Sequence, residues 1–142
     1  MRNMKPITAC LLMLAFCMPA VAQQKASRRV TVCEAKQLVL AALPSRTKKL
    51  PKFGLEGGLD SHDPRFYVFE AYWAGAPNGS MVIGNYAVDA STADVWDAPA
   101  ACDELSTPAL RKFQKQVRSR IGLSPTEYRK KKRRCPLELE DN

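Results

Sequence analysis

Histidine is almost missing from this chain: His62 is the only one in 142 residues. A zinc-type centre needs three or four converging ligands, and a catalytic base needs a partner held against it. A lone imidazole supports neither. His62 sits in Asp60-Ser61-His62-Asp63, inside a stretch flanked by glycine and proline where such polar residues make turns. Glycine is scarce as well, with seven in total. Its one cluster, Gly54-Leu55-Glu56-Gly57-Gly58, lacks the Lys-Ser/Thr that closes a phosphate-binding loop. No apolar run reaches the roughly 20 residues of a membrane-spanning helix. The cysteines show no metal spacing, since Cys33, Cys102 and Cys135 are tens of residues apart. These absences leave no catalytic residue, no metal site and no cofactor to assign.

What is present begins with a leader. Arg2 and Lys5 precede a short apolar run from Ile7 to Met18, then Pro19 and Ala20-Val21-Ala22. A charged start, a short apolar middle and small residues at the end predict a secretory signal peptide over residues 1–22, cleaved after Ala22. Residues 23–142 then form a single small domain, periplasmic or secreted. Cys10 and Cys17 leave with the leader, and the other three cysteines enter a compartment where disulfides persist. An odd number permits one internal bridge and one spare thiol. Cys102 precedes a predicted helical pair and Cys135 follows it, so two antiparallel helices return one towards the other. The expected bridge is Cys102–Cys135, with Cys33 as the competitor.

The formal charge is +8, and much of it is local. Arg129, Lys130, Lys131, Lys132, Arg133 and Arg134 are consecutive. In a cytosolic protein such a run reads as nucleic-acid binding. Export removes that partner. It leaves anionic lipid, a cell-wall polymer or an acidic protein surface, beside the bland reading of a solvated chain end.

Along residues 23–142, Thr31 and Glu34 form a capping-box pattern ahead of Ala35, Leu38, Val39, Ala42 and Leu43 at helical spacing. This predicts a helix over 32–43, stopped by Pro44. Residues 44–64 read as a long connection, with an unresolved short strand or turn near Leu50 to Leu55. Arg65 to Ala74 is rich in aromatic and β-branched residues and reads as a strand. Ala76-Pro77-Asn78-Gly79 is a turn, Ser80 to Val88 a second strand, and Val95-Trp96 a short third one. Ser106 or Thr107 caps a helix carrying Leu110, Phe113, Val117 and Ile121, and Ser124-Pro125-Thr126-Glu127 opens another over 125–133. The expected fold class is α+β: an N-terminal helix packed on a three-stranded antiparallel meander, followed by a C-terminal helical pair. Both faces of the first strand are largely apolar, with Tyr67, Phe69, Ala71 and Trp73 on one and Phe66, Val68, Glu70 and Tyr72 on the other. One helix covers only one face. The surplus is covered by the C-terminal helices or offered to a partner.

The stretch Val82 to Asp89 followed by Ser91-Thr92-Ala93-Asp94-Val95-Trp96 resembles the strand, turn and strand of PepSY-like and cystatin-like bacterial envelope proteins, over about residues 31–97. This chain has Ala93 where that pattern usually has glycine, and its helical tail is an addition. The resemblance implies an inhibitor, immunity protein or regulatory binding module, and no enzyme. The leading expectation is therefore an exported protein that occludes a toxin or hydrolase in the cell envelope. Its expected contact residues are Tyr72, Trp73, Pro77, Asn78, Gly79 and Tyr86. One alternative is a cationic envelope-associated factor held to anionic surfaces by residues 129–134. A second is a hydrolase that uses His62.

Overall fold

A computed structural model of the chain describes residues 28–76, 79–98 and 102–133. The leader, Pro77, Asn78, Arg134 and Cys135 lie outside the described residues. The fold is α+β, with helices against a five-stranded antiparallel sheet.

Helix α1, Val32–Ala42, starts as its sequence dictates. The Thr31 hydroxyl accepts from the Glu34 N–H at 3.2 Å, and Glu34 Oε2 accepts from the Thr31 N–H at 2.8 Å. Burial pushes the Glu34 carboxyl up, but the Thr31 N–H and Arg120 outweigh it and hold the group below its ordinary range. The helix ends before Pro44, whose ring disfavours helical backbone in the residue ahead of it. Ala35, Leu38, Val39 and Ala42 form its buried face. Each large side chain among them stabilises the fold by roughly 1.5–3 kcal/mol when fully buried.

The expected three-stranded meander is larger, with five strands in sequential order: β1 Phe53–Leu59, β2 Phe66–Ala76, β3 Gly79–Asp89, β4 Val95–Ala98 and β5 Asp103–Glu104. Most of the correction is β1. It lies inside the predicted connection 44–64, which also holds a single-turn helix, α2, Ser45–Lys48. Three glycines in Phe-Gly-Leu-Glu-Gly-Gly-Leu hide this strand, because glycine has little strand preference of its own. Pairing with β2 makes it, in the register Phe53 to Trp73 through Leu59 to Tyr67.

Helix α3, Pro108–Arg120, is capped by the Thr107 hydroxyl, which accepts from the Leu110 N–H at 3.1 Å and donates to Ala41 O at 2.9 Å. One side chain thus starts α3 and ties it to the end of α1. Leu110, Val117 and Ile121 meet α1, Phe69, Ala71, Val88 and Val95 in the main core. A smaller apolar cluster on the opposite sheet face joins Phe66, Ala87, Trp96 and Ala98, with Phe66 edge-on to Trp96 at 6.1 Å.

Helix α4, Pro125–Lys131, carries a second capping box, Ser124 with Glu127. It packs through a buried polar group. Asp94 is fully buried in the turn between β3 and β4. Its Oδ1 accepts from Arg118 Nη2 at 2.6 Å and the Tyr128 hydroxyl at 2.9 Å, and its Oδ2 from the Thr92 hydroxyl at 2.8 Å. Arg118 Nε also donates to Thr92 O at 2.7 Å, and its guanidinium lies 4.1 Å from the Tyr128 ring centre. Burial outruns these partners and pushes the Asp94 carboxyl above its ordinary range. In the same turn Ala93 takes a φ of 62° and is fully buried. That left-handed backbone is the reason glycine suits the position.

Candidate functional site

The free end of the β2–β3 ribbon carries two of the most exposed large apolar side chains among the described residues, Met81 and Val82. A bulge decides its layout. Up to Ala71, β2 pairs with β3 in one register (Ala71 opposite Gly84), and beyond it Tyr72 faces Val82 and Trp73 faces Met81. The shift leaves Ile83 as the extra residue of β3. Two cross-strand rows result. One runs Phe53, Trp73, Met81 on the helix-bearing side of the sheet, and the other runs Gly54, Tyr72, Val82 on the opposite side. Met81 is 53% exposed and Val82 57%, while Tyr72 and Trp73 are half-buried.

Both aromatic rings are held by glycines. A Cβ on Gly54 would lie 2.2 Å from the Tyr72 ring, so that ring lies flat on the β1 backbone. The Tyr72 hydroxyl donates to Glu56 Oε1 at 2.8 Å, a bond that raises the phenol above its ordinary value. Gly75 plays the same part for Trp73, whose indole carbons would stand 2.9 Å from a Cβ there, with Pro51 at 2.7 Å. Side chains settled in this way lose little freedom when a second surface closes over them. Losing it otherwise costs roughly 0.5–1.5 kcal/mol per side chain.

Of the other expected contact residues, Gly79 begins β3 at this end with a φ of 103°. Tyr86 does not share the surface. It is only 7% exposed, belongs to the main core, and its ring lies over Gly84. Met81, Val82 and Phe53 join the surface without having been expected there. The bulge exchanges the faces of β3, and no alternation in the sequence reveals it.

The basic run is divided by its surroundings. Arg129, Lys130 and Lys131 are exposed on α4. Lys132 Nζ pairs with Glu104 Oε2 at 2.9 Å, a contact that raises the ammonium above its ordinary value. The Arg133 guanidinium stands 5.9 Å from the Phe66 ring centre, and its Nε lies 3.9 Å from Asp89 Oδ2. His62 is exposed, and its backbone N–H donates to Asp60 Oδ1 at 2.8 Å in a simple turn. Among the described residues no group of three or more His, Cys, Asp or Glu is placed to hold a metal, and no helix is long and apolar enough to cross a membrane. Cys33 is an exposed free thiol, and Cys102 is disulfide-bonded.

No protein-family profile matches the chain, and no curated protein matches its sequence. A solved structure does match. One chain in the structure of a type VI secretion system effector–immunity complex from Pseudomonas protegens is similar at a TM-score of 0.59, with 24% identity, over 75% of this chain and 89% of that one. At that identity the likeness is one of fold.

Proposed function

We propose that this chain is an exported, non-catalytic binding protein of the immunity type, which occludes a toxin or hydrolase acting in the cell envelope. The observation that carries the reading is the fold shared with a chain of an effector–immunity complex. The hairpin end supports it, because Tyr72, Trp73, Met81 and Val82 present apolar surface that the described helices leave uncovered. Aromatic anchors surrounded by aliphatic contacts are what protein-binding surfaces concentrate. The mechanism is steric: a ribbon braced by β1 enters a groove or active site of the partner and fills it. Export by the leader places the protein in the compartment where such a partner acts.

The test is protection. The full chain, leader included, is expressed in a susceptible bacterium together with candidate envelope-acting effectors from its own genome. Growth should continue, and N-terminal sequencing of the periplasmic product should begin at Gln23. The double variant Trp73→Ala, Val82→Asp should lose protection while melting within a few degrees of the parent. A variant that protects as well as the parent overturns the assigned surface. A parent that fails to protect, or fails to bind the purified effector, overturns the function.

A further inference from the structure

In the sheet order β1-β2-β3-β4-β5, strand β1 pairs with β2 alone and forms an edge. Among the described residues, the only β1 backbone group hydrogen-bonded outside that ladder is the Phe53 N–H, to Leu50 O at 3.2 Å. Such an edge presents N–H and C=O groups that can template another strand, and proteins usually blunt it with lysine, proline or brevity. Phe53–Leu59 is seven residues long and contains no lysine, arginine or proline. Its glycines also remove bulk. A Cβ on Gly57 would lie 2.1 Å from Val68 O, so that glycine serves the pairing with β2. A Cβ on Gly58 would meet nothing within 4 Å, so no internal contact requires glycine there. A bare position of this kind lets a second backbone come close. The charge on this face runs against the formal +8 of the chain. Glu56 stands directly opposite Glu70, and both are exposed. Like charges so placed destabilise a sheet. The Tyr72 hydroxyl donates to Glu56 Oε1 at 2.8 Å, and no cation among the described residues pairs with either carboxylate.

We propose that the β1 edge accepts an extended, cationic segment of the protein partner as an added strand, with a lysine or arginine set opposite Glu56. The row Glu70–Glu56 then runs on into a positive charge, and a repulsion across the sheet is answered by an attraction. Backbone bonds along β1 supply affinity, and the carboxylate row selects the sign of the incoming side chain. A second copy of this chain fits poorly. Full antiparallel pairing of Phe53–Leu59 with itself centres on Glu56 and sets that carboxylate against its own copy. The other edge of the sheet offers less, because β5 is two residues long and its Glu104 pairs with Lys132 at 2.9 Å. Through its bond to Tyr72, Glu56 joins this edge to the hairpin surface. The docked segment therefore belongs to the partner of the proposed function, and the assignment rests on that reading. Its test needs no effector, so a failure here is distinct from a failure of protection.

The test titrates the isotope-labelled mature chain with three synthetic peptides and follows its backbone amides by nuclear magnetic resonance. One peptide alternates lysine and threonine. A second carries glutamate in place of lysine, and a third keeps the lysines but has methylated backbone nitrogens, which removes the donors a strand needs. The lysine peptide should bind saturably and shift the amides of Phe53–Leu59, while the other two should not. Glu56→Gln with Glu70→Gln should weaken binding about fivefold, as loss of two exposed ion pairs predicts, while glutamine still accepts from the Tyr72 hydroxyl. The matched change Asp97→Asn with Asp103→Asn, a second directly opposed pair, should leave binding unchanged, with circular dichroism reporting the fold of both variants. Equal binding of the methylated peptide reduces the contact to charge alone and overturns strand addition. Equal weakening by the two double variants, or no saturable binding of the lysine peptide, overturns the proposal. A concentration-dependent dimer whose amide shifts fall on residues 53–59 overturns the choice of occupant in favour of a second copy.

Discussion

Replacing Arg118 with leucine isolates what a buried carboxylate requires. In the native fold Asp94 is fully buried, and among the described residues Arg118 is the only cation bonded to it, at 2.6 Å. Removing that cation leaves the charge with two hydroxyl donors, from Thr92 and Tyr128. Breaking a buried pair from one side costs about 3–5 kcal/mol. Asp94 has an escape, however, because it can take up a proton. Relative to an unfolded aspartate near 3.9, holding the acid neutral at pH 7 costs about 4 kcal/mol at 1.36 kcal/mol per pH unit, which caps the charge effect. The sign follows from linkage. A carboxyl raised on folding contributes stability that is fully present below its unfolded value and lost as pH rises through its folded value. Burial raises Asp94 already in the parent, and loss of Arg118 raises it further. The expected destabilisation is about 3–4 kcal/mol at pH 7, shrinking to about 1 kcal/mol at pH 4, where the variant binds its proton without penalty. Urea denaturation of parent and variant at both pH values measures it, since other titrating carboxylates, Glu34 among them, cancel in the difference. A loss below about 1 kcal/mol at pH 7, or one that is equal at both pH values, refutes the reasoning.

Other expectations are equally direct. Gly54→Val should lift the Tyr72 ring off β1, lowering affinity for the partner and breaking the bond to Glu56, while far-ultraviolet circular dichroism stays near that of the parent; an unchanged affinity would remove Tyr72 from the contact surface. Thr31→Ala removes the α1 cap and should cost about 1 kcal/mol in denaturant titrations. We assign the Cys102 disulfide to Cys135, so non-reducing peptide mapping should recover that pair while Cys33 alkylates in the native protein. Opening a loop of that length should lower stability by roughly 3–4 kcal/mol on the chain-entropy estimate, read from melts with and without reductant.

The helices were readable because their signals are local. Thr31 with Glu34, Thr107 with Pro108, and Ser124 with Glu127 each name a start within four residues, and all three starts are present. The long hairpin was readable because its aromatic strand and its turn are contiguous. Strand β1 was not, since its identity resides in β2 and not in its own glycines. The exposed end of the ribbon was half legible: Tyr72 and Trp73 announce themselves as aromatics, whereas Met81 and Val82 arrive there through a bulge that shifts register. Tyr86 looks like its neighbours in sequence but falls inside, because Gly84 leaves room for its ring.

The bulge after Ala71 has an outcome beyond where it points four side chains. Below it the strands are locked to the helices by buried residues whose replacement would unfold the protein. Above it, the Tyr72 and Trp73 rings rest on glycines, and Met81 and Val82 are exposed. Such positions are free to drift. Substitutions can therefore accumulate at the ribbon's end while the core that carries it stays unaltered.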